Sequence, residues 1–139
     1  MVNKEVISGL DNKAREYALF VSGWEKMVLP SKITVVSTDR LEAVSNLLRK
    51  KTASFWEEVE DEVYDMVDVS FAFNPQFDAL YRLTFDVSKR LSELEKVVSD
   101  ELMRREKIEI EEAEEELKKM NEEHKRLMKE YDEMENEDL

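Results

Sequence analysis

Residues 74–98, which read NPQFDALYRLTFDVSKRLSELEKVV, decide the fold. Asparagine followed by proline favours a helix start, because Asn accepts hydrogen bonds from the first free N–H groups and Pro fits the first helical position. A stripe at steps of four and three follows, consisting of Leu80, Thr84, Val87, Leu91, Leu94 and Val98. No Gly or Pro occurs after Pro75. We therefore predict one helix of about sixty residues from Pro75 onward.

A second long helix precedes it. Asp39 followed by Glu42 has the spacing of a capping box, with Asp in place of Ser or Thr. Apolar or small residues then hold one face, so we predict helix to about residue 68, closed by an apolar turn at 69–73. The stripe consists of Leu41, Val44, Leu48, Thr52, Phe55, Val59, Val63 and Met66.

The first helix is predicted from the periodicity of residues 6–28, with Asp11 as a possible cap and residues 1–10 as a looser lead-in. Pro30 should end it, because the residue before a proline is disfavoured in the α conformation. Gly23 weakens its interior and is explained equally well by a close helix crossing or by an exposed position. The β-branched residues 33–36 predict an extended connector, since no second strand is visible to pair with them.

Composition agrees with an all-α fold. The chain has two Gly and two Pro in 139 residues, too few for the turns of an all-β protein. We expect a three-helix core at residues 1–98, made of an antiparallel hairpin and the start of the third helix. Residues 99–139 hold seventeen acids against eight bases. They are expected to extend the third helix as a charged, coiled-coil-like arm.

The arm has its own apolar register. The first stripe loses phase after Val98, and a second one alternates strictly in steps of four and three, as coiled-coil positions do. We call it the seam, and it consists of Ala113, Leu117, Met120, His124, Leu127, Tyr131 and Met134. A narrow seam on so charged a helix predicts a partner, which could be the chain's own core, a second copy or another protein.

Two further features are candidates for contact with a partner. The final ten residues contain six acids and no base, which is typical of solvated or interaction tails. This acidic tail consists of Glu130, Asp132, Glu133, Glu135, Glu137 and Asp138. Trp56 lies beside Phe55, which already occupies the stripe, so Trp56 is a possible interface anchor.

No catalytic or metal site is predicted. The chain has no Cys and one His, His124, which falls on the seam and is better explained as a polar residue that sets register. Seven acids between Glu57 and Asp68 lie among stripe residues, so we interpret them as a solvated face rather than a cation site. Neither a cofactor nor an enzymatic activity is expected.

Charge defines the expected partners. A net charge of −13 disfavours nucleic acid and anionic membranes and favours proteins with basic surfaces. The only compact basic cluster, Arg49-Lys50-Lys51, is too small to neutralise a nucleic-acid backbone. No apolar run reaches the roughly 20 residues of a membrane span, and no signal peptide is evident, so a cytoplasmic location is expected.

Two functions fit these features. The first is a non-enzymatic adaptor or accessory subunit that assembles with a partner protein through the seam. The alternative is an acidic accessory factor or inhibitor of a nucleic-acid-processing machine, which would occupy basic surfaces in competition with DNA or RNA. Apolar assembly should survive high salt, whereas charge mimicry should weaken steeply.

Overall fold

The computed structural model describes residues 4–28, 30–70 and 74–137, and within these ranges the chain is helical with no strand. The helices are α1 (Lys4–Met27), α2 (Pro30–Ile33), α3 (Thr38–Phe55), α4 (Asp61–Ser70) and α5 (Pro75–Glu137). A π-helical segment, Trp56–Glu60, joins α3 directly to α4. The all-α class and the three-helix core predicted from the sequence are confirmed.

Helix α1 begins earlier than predicted. It starts at Lys4, and Ile7 and Leu10 are both buried, so the expected loose lead-in is wrong. Burial of these two side chains stabilises the first turns without a cap at Asp11. Asp11 instead accepts a hydrogen bond from Arg15 Nε at 2.7 Å, within the same helix.

The connector after α1 also differs from the prediction. Residues Pro30–Ile33 form a helical turn rather than an extended segment, and backbone N–H groups of Val35 and Val36 bond back to the carbonyls of Lys32 and Ile33. Ile33 is buried. Burial of one side chain and local backbone bonding therefore override the β preference of this run.

The second helix is formed by α3, the π-helical segment and α4 in succession. Its N-cap is Ser37 rather than Asp39, and the Ser37 hydroxyl accepts a bond from the Arg40 N–H at 3.3 Å. It continues to Ser70, close to the predicted end, so residues 69 and 70 are helical rather than part of a turn. The remainder of that predicted turn, residues 71–73, lies outside the described residues.

Helix α5 starts as predicted. The Asn74 side-chain oxygen accepts bonds from the N–H groups of Gln76 and Phe77, at 3.0 and 3.3 Å, and Pro75 is the first helical residue. The whole predicted stripe from Leu80 to Val98 is buried. The Thr84 hydroxyl avoids an unpaired polar group by donating to the Leu80 carbonyl at 2.7 Å.

Contacts between the helices define their directions. The rings of Tyr17 and Phe55 are in tilted contact, while Phe20, further along α1, contacts Lys51, so α1 and α3 are antiparallel. Thr52 lies beside Glu95, and Tyr64 beside Tyr81, so the second helix is also antiparallel to α5. Because α1 and α5 are both antiparallel to the second helix, they run parallel to each other. An ion pair between Glu25 and Arg90 joins α1 to α5.

The chain divides into two compact units, Met1–Leu102 and Met103–Leu139. The first contains an apolar cluster formed by side chains of all three long helices. Members of this cluster include Tyr17 and Val21 of α1, Leu48, Phe55 and Val59 of the second helix, and Leu80 and Val87 of α5, all of them buried. Trp24 is partly buried against the cluster.

Candidate partner interface

The described part of the second unit, residues 103–137, is helical, and none of its residues is buried. Every described residue from 106 to 137 is exposed. The helix is favoured locally by the absence of Gly and Pro and by surface ion pairs such as Lys119–Glu115 at 3.8 Å. Such pairs stabilise a helix by only about 0.3–0.5 kcal/mol each. An isolated helix with this little support is marginal in water.

The seam residues share one face of this helix. The spacing of four and three residues returns to the same side of a helix every two turns. The five large apolar members are between 52% and 66% exposed, which leaves much of each side chain open to solvent. These five are Leu117, Met120, Leu127, Tyr131 and Met134. Ala113 and His124, which complete the seam, are exposed on the same face.

The sequence interpretation left out two residues that belong to this face. Ile110, three residues before Ala113, continues the same spacing and is 51% exposed. Met128 directly follows Leu127 and widens the apolar face beside it. The signal for Ile110 was present in the register itself, but it was hidden by the change of phase after Val98.

The acidic tail is not a separate appendage over its described part. Glu130, Asp132, Glu133, Glu135 and Glu137 lie within α5 and are exposed, whereas Asp138 lies outside the described residues. Because they are helical, these acids point in different directions around the axis instead of forming one continuous charged surface. Two of them, Glu130 and Glu137, come directly before positions of the seam register.

Trp56 belongs to the first unit and is the first residue of the π-helical segment. It is 49% exposed, and its ring centroid lies 6.2 Å from that of Tyr64. Single-turn π-helical segments occur often at functional sites because the extra residue re-aims neighbouring side chains. Here the segment places both Val59 and Glu60 in buried positions, while Trp56 stays at the surface.

Trp56 lines an open groove of about 460 Å³ between the second helix and α5. Polar groups from both sides converge there. The Thr52 hydroxyl lies 2.8 Å from the Leu48 carbonyl oxygen and 3.1 Å from Oε1 of Glu95. Glu60 and Ser88 also line this groove, and the two form a side-chain hydrogen bond. These polar groups form hydrogen bonds with one another, so they contribute to packing between the second helix and α5.

Glu60 corrects the interpretation of residues 57–68 as a wholly solvated face. Its side chain is only 6% exposed. Burial raises the pKa of Glu60, while the hydrogen bond from Ser88 lowers it in partial compensation. The periodicity assigned Glu60 to the outer face because it assumed a regular α-helix, and the π-helical turn changes that phase.

Glu58 is also engaged in the fold. Its carboxylate accepts a hydrogen bond of 2.7 Å from the Tyr17 hydroxyl of α1. Burial, reinforced by this bond, raises the pKa of Tyr17 to about 12. The basic cluster is partly engaged as well, since Lys51 Nζ lies 5.0 Å from the ring centroid of Phe20. The charges of these residues therefore serve helix packing.

Across the described ranges, no group of three or more His, Cys, Asp or Glu side chains is arranged to hold a metal ion. None of the helices in those ranges combines the length and apolar character that a membrane crossing requires. Large apolar side chains at coiled-coil spacing stay exposed along the seam, and this surface is the candidate functional site. Comparison of the chain with protein-family models, with curated proteins and with solved structures finds no significant match.

Proposed function

We propose that the chain is a non-enzymatic helical adaptor or accessory subunit whose arm assembles with a helix of a partner protein. The observation that carries this proposal is the seam: large apolar side chains at coiled-coil spacing, each more than half exposed, on the part of α5 where residues 106–137 are all exposed. Surfaces of this kind commonly mark sites of protein association.

The energetics favour assembly. Burial of each large apolar seam residue contributes on the order of 1–3 kcal/mol. Over five such residues the sum is large enough to offset the ordering of side chains and the loss of translational freedom on binding. His124 interrupts the seam with a polar side chain, and polar residues at such positions set the register of the two helices at some cost in affinity.

The alternative function uses the charge of the arm. The exposed carboxylates of the arm carry the same sign of charge as phosphates, so they could occupy a basic cleft and displace DNA or RNA. The observation that favours it is the exposure of the five described tail acids. It leaves the exposed apolar seam without a role, and for that reason we rank it second.

Affinity capture with the tagged 139-residue chain tests the proposal. The seam variant combines Leu117→Lys and Leu127→Lys. Its matched control combines Glu115→Gln and Glu122→Gln, which changes the net charge equally but lies on the opposite face. Partners retained by the wild type and the control but lost by the seam variant support the proposal. Circular dichroism of each variant should show an unchanged melting of the first unit.

Salt separates the two functions. Capture is repeated at roughly 0.1 M and 1 M salt, where the screening length falls from about 10 Å to about 3 Å. Seam assembly should persist at high salt, and neutralising the acidic tail should weaken it far less than the seam variant does, because burial of apolar side chains supplies most of the affinity. If loss of the tail acids abolishes binding and high salt has the same effect, the alternative is correct. If neither the seam variant nor neutralisation of the acidic tail changes capture, the arm is not the binding surface, and Trp56 becomes the next candidate.

A further inference from the structure

The residues that border the seam have a charge pattern of their own. The seam contains two alternating series of positions, one that includes Leu117, His124 and Tyr131 and one that includes Ala113, Met120, Leu127 and Met134. In a pair of coiled helices, the residue before each position of the first series and the residue after each position of the second lie at the two edges of the contact and face the partner helix. Between residues 109 and 137, the first border is glutamate at every seventh position. This glutamate border consists of Glu109, Glu116, Glu123, Glu130 and Glu137.

The opposite border carries no base either. It consists of Glu114, Asn121, Met128 and Glu135. All five bases of this stretch lie on the outer face of the helix, away from the seam and both borders. They are Lys118, Lys119, Lys125, Arg126 and Lys129. The residues on both borders are exposed, so this charge is available to a helix docked on the seam.

Such borders disfavour a second copy of this chain. In an antiparallel pair of copies, the glutamate border would face itself. In a parallel pair, each border glutamate would face a residue five positions further along the other copy, so Glu109 would meet Glu114 and Glu130 would meet Glu135. The other two parallel pairs join Glu to Asn or Met. Neither orientation contains one opposite-charge pair, and like charges at these positions destabilise the assembly.

We propose that the seam binds a helix of a different protein, whose own apolar stripe is bordered by lysine and arginine. This inference rests on the function proposed above and names its partner class. Apolar residues supply the affinity, and the borders exclude self-pairing, which is how coiled-coil proteins select partners. The placement of every base on the outer face keeps the helix soluble without weakening this selection.

The test uses the 139-residue chain and a partner made from it by substitution. The border variant reverses six border acids to Lys, giving the basic borders that the proposal requires. Its substitutions are at Glu114, Glu116, Glu123, Glu130, Glu135 and Glu137. The control variant reverses six acids of the outer face to Lys, with the same change in net charge. Its substitutions are at Glu111, Glu112, Glu115, Glu122, Asp132 and Glu133.

Sedimentation equilibrium at low salt measures each chain alone and each mixture with the wild type. We expect the wild type to be monomeric alone and to form a one-to-one complex with the border variant, at least tenfold tighter than either self-association. The control variant should give no such complex. Adding Leu117→Lys and Leu127→Lys to both chains should abolish the mixed complex.

The outcomes separate this inference from the proposed function. If the wild type pairs with itself through the seam as tightly as it pairs with the border variant, the inference is wrong, while seam assembly stands. An equally tight complex with the control variant shows that net charge, not border position, selects the partner, and this also overturns the inference. If no combination assembles, the seam does not bind a helix, and the proposed function fails together with the inference.

Discussion

Phe55 and Leu117 are both apolar residues on long helices, yet Phe55 is fully buried and Leu117 is 58% exposed. In the first unit, helices are held together by burial of their apolar stripes against one another. This burial also determines the structure where local sequence preferences favour something else, as in the β-branched residues 33–36. In the second unit, the helix depends on propensity and weak surface ion pairs alone. The comparison shows that the same periodicity has two meanings: where a matching stripe exists in the chain it builds a core, and where none exists it predicts an external partner.

The largest expected effect contrasts these two residues directly. Phe55→Ala should lower the free energy of unfolding by about 3–5 kcal/mol, because it removes a fully buried ring and leaves a cavity. Leu117→Ala should change it by less than about 0.5 kcal/mol, as exposed substitutions do. Denaturant unfolding followed by tryptophan fluorescence measures both. Similar losses for the two variants would show that the units are not energetically distinct.

A second prediction concerns Tyr17, which bonds to Glu58 across two helices of the first unit. Tyr17→Phe should lower the free energy of unfolding by about 1.5 kcal/mol, the magnitude typical of a hydrogen bond to a charged group. Tyr131→Phe, on the exposed seam, is the matched control and should have no effect on unfolding. If the two variants behave alike, the bond between Tyr17 and Glu58 does not stabilise the fold.

The raised pKa of Tyr17 adds a pH signature. The unfolded chain releases this proton near pH 10, whereas the folded chain holds it to about 12. The stability that Tyr17 contributes is therefore complete below pH 10 and is lost as pH rises from about 10 to about 12. Between pH 10 and pH 12, the free energy of unfolding should therefore fall less in Tyr17→Phe than in the wild type.

A third prediction uses helix propensity. Nothing lies within 4 Å of a Cβ added at Gly23, so its position is exposed rather than a close helix crossing. Gly23→Ala should therefore raise the free energy of unfolding by about 1 kcal/mol. The reverse change in the arm, Ala113→Gly, lowers helix propensity by a similar free energy, but it should reduce only the helical circular dichroism of the arm. A loss of first-unit stability in Ala113→Gly would contradict the separation of the two units.

The sequence predicted the long helices well because their signals were redundant. At α5 a cap, a proline, a buried stripe and the absence of breakers all agreed, and the helix begins where they indicated. Boundaries failed where tertiary burial decided the outcome, as at Ile7, which extends α1, and Ile33, which favours a turn over an extended segment. The burial of Glu60 was unpredictable from periodicity because a π-helical turn changes the phase. The seam could be read from spacing alone, although its partner could not.

The last prediction tests that buried carboxyl. Burial raises the pKa of Glu60, so ionising this group costs more in the folded chain than in the unfolded one. Its contribution to stability is therefore complete below the ordinary Glu pKa and is lost as pH rises through the raised value. Glu60→Gln removes the ionisation and keeps the shape, so it should stabilise the fold more at pH 7 than at pH 4. Glu57→Gln, an exposed neighbour in the same segment, makes the same change in charge and corrects for net-charge effects. Thermal unfolding of both variants between pH 4 and pH 7 gives the stability of Glu60→Gln relative to Glu57→Gln at each pH. If that difference stays constant with pH, Glu60 ionises as readily in the fold as in the unfolded chain, and the first unit tolerates charge at this position as the arm does.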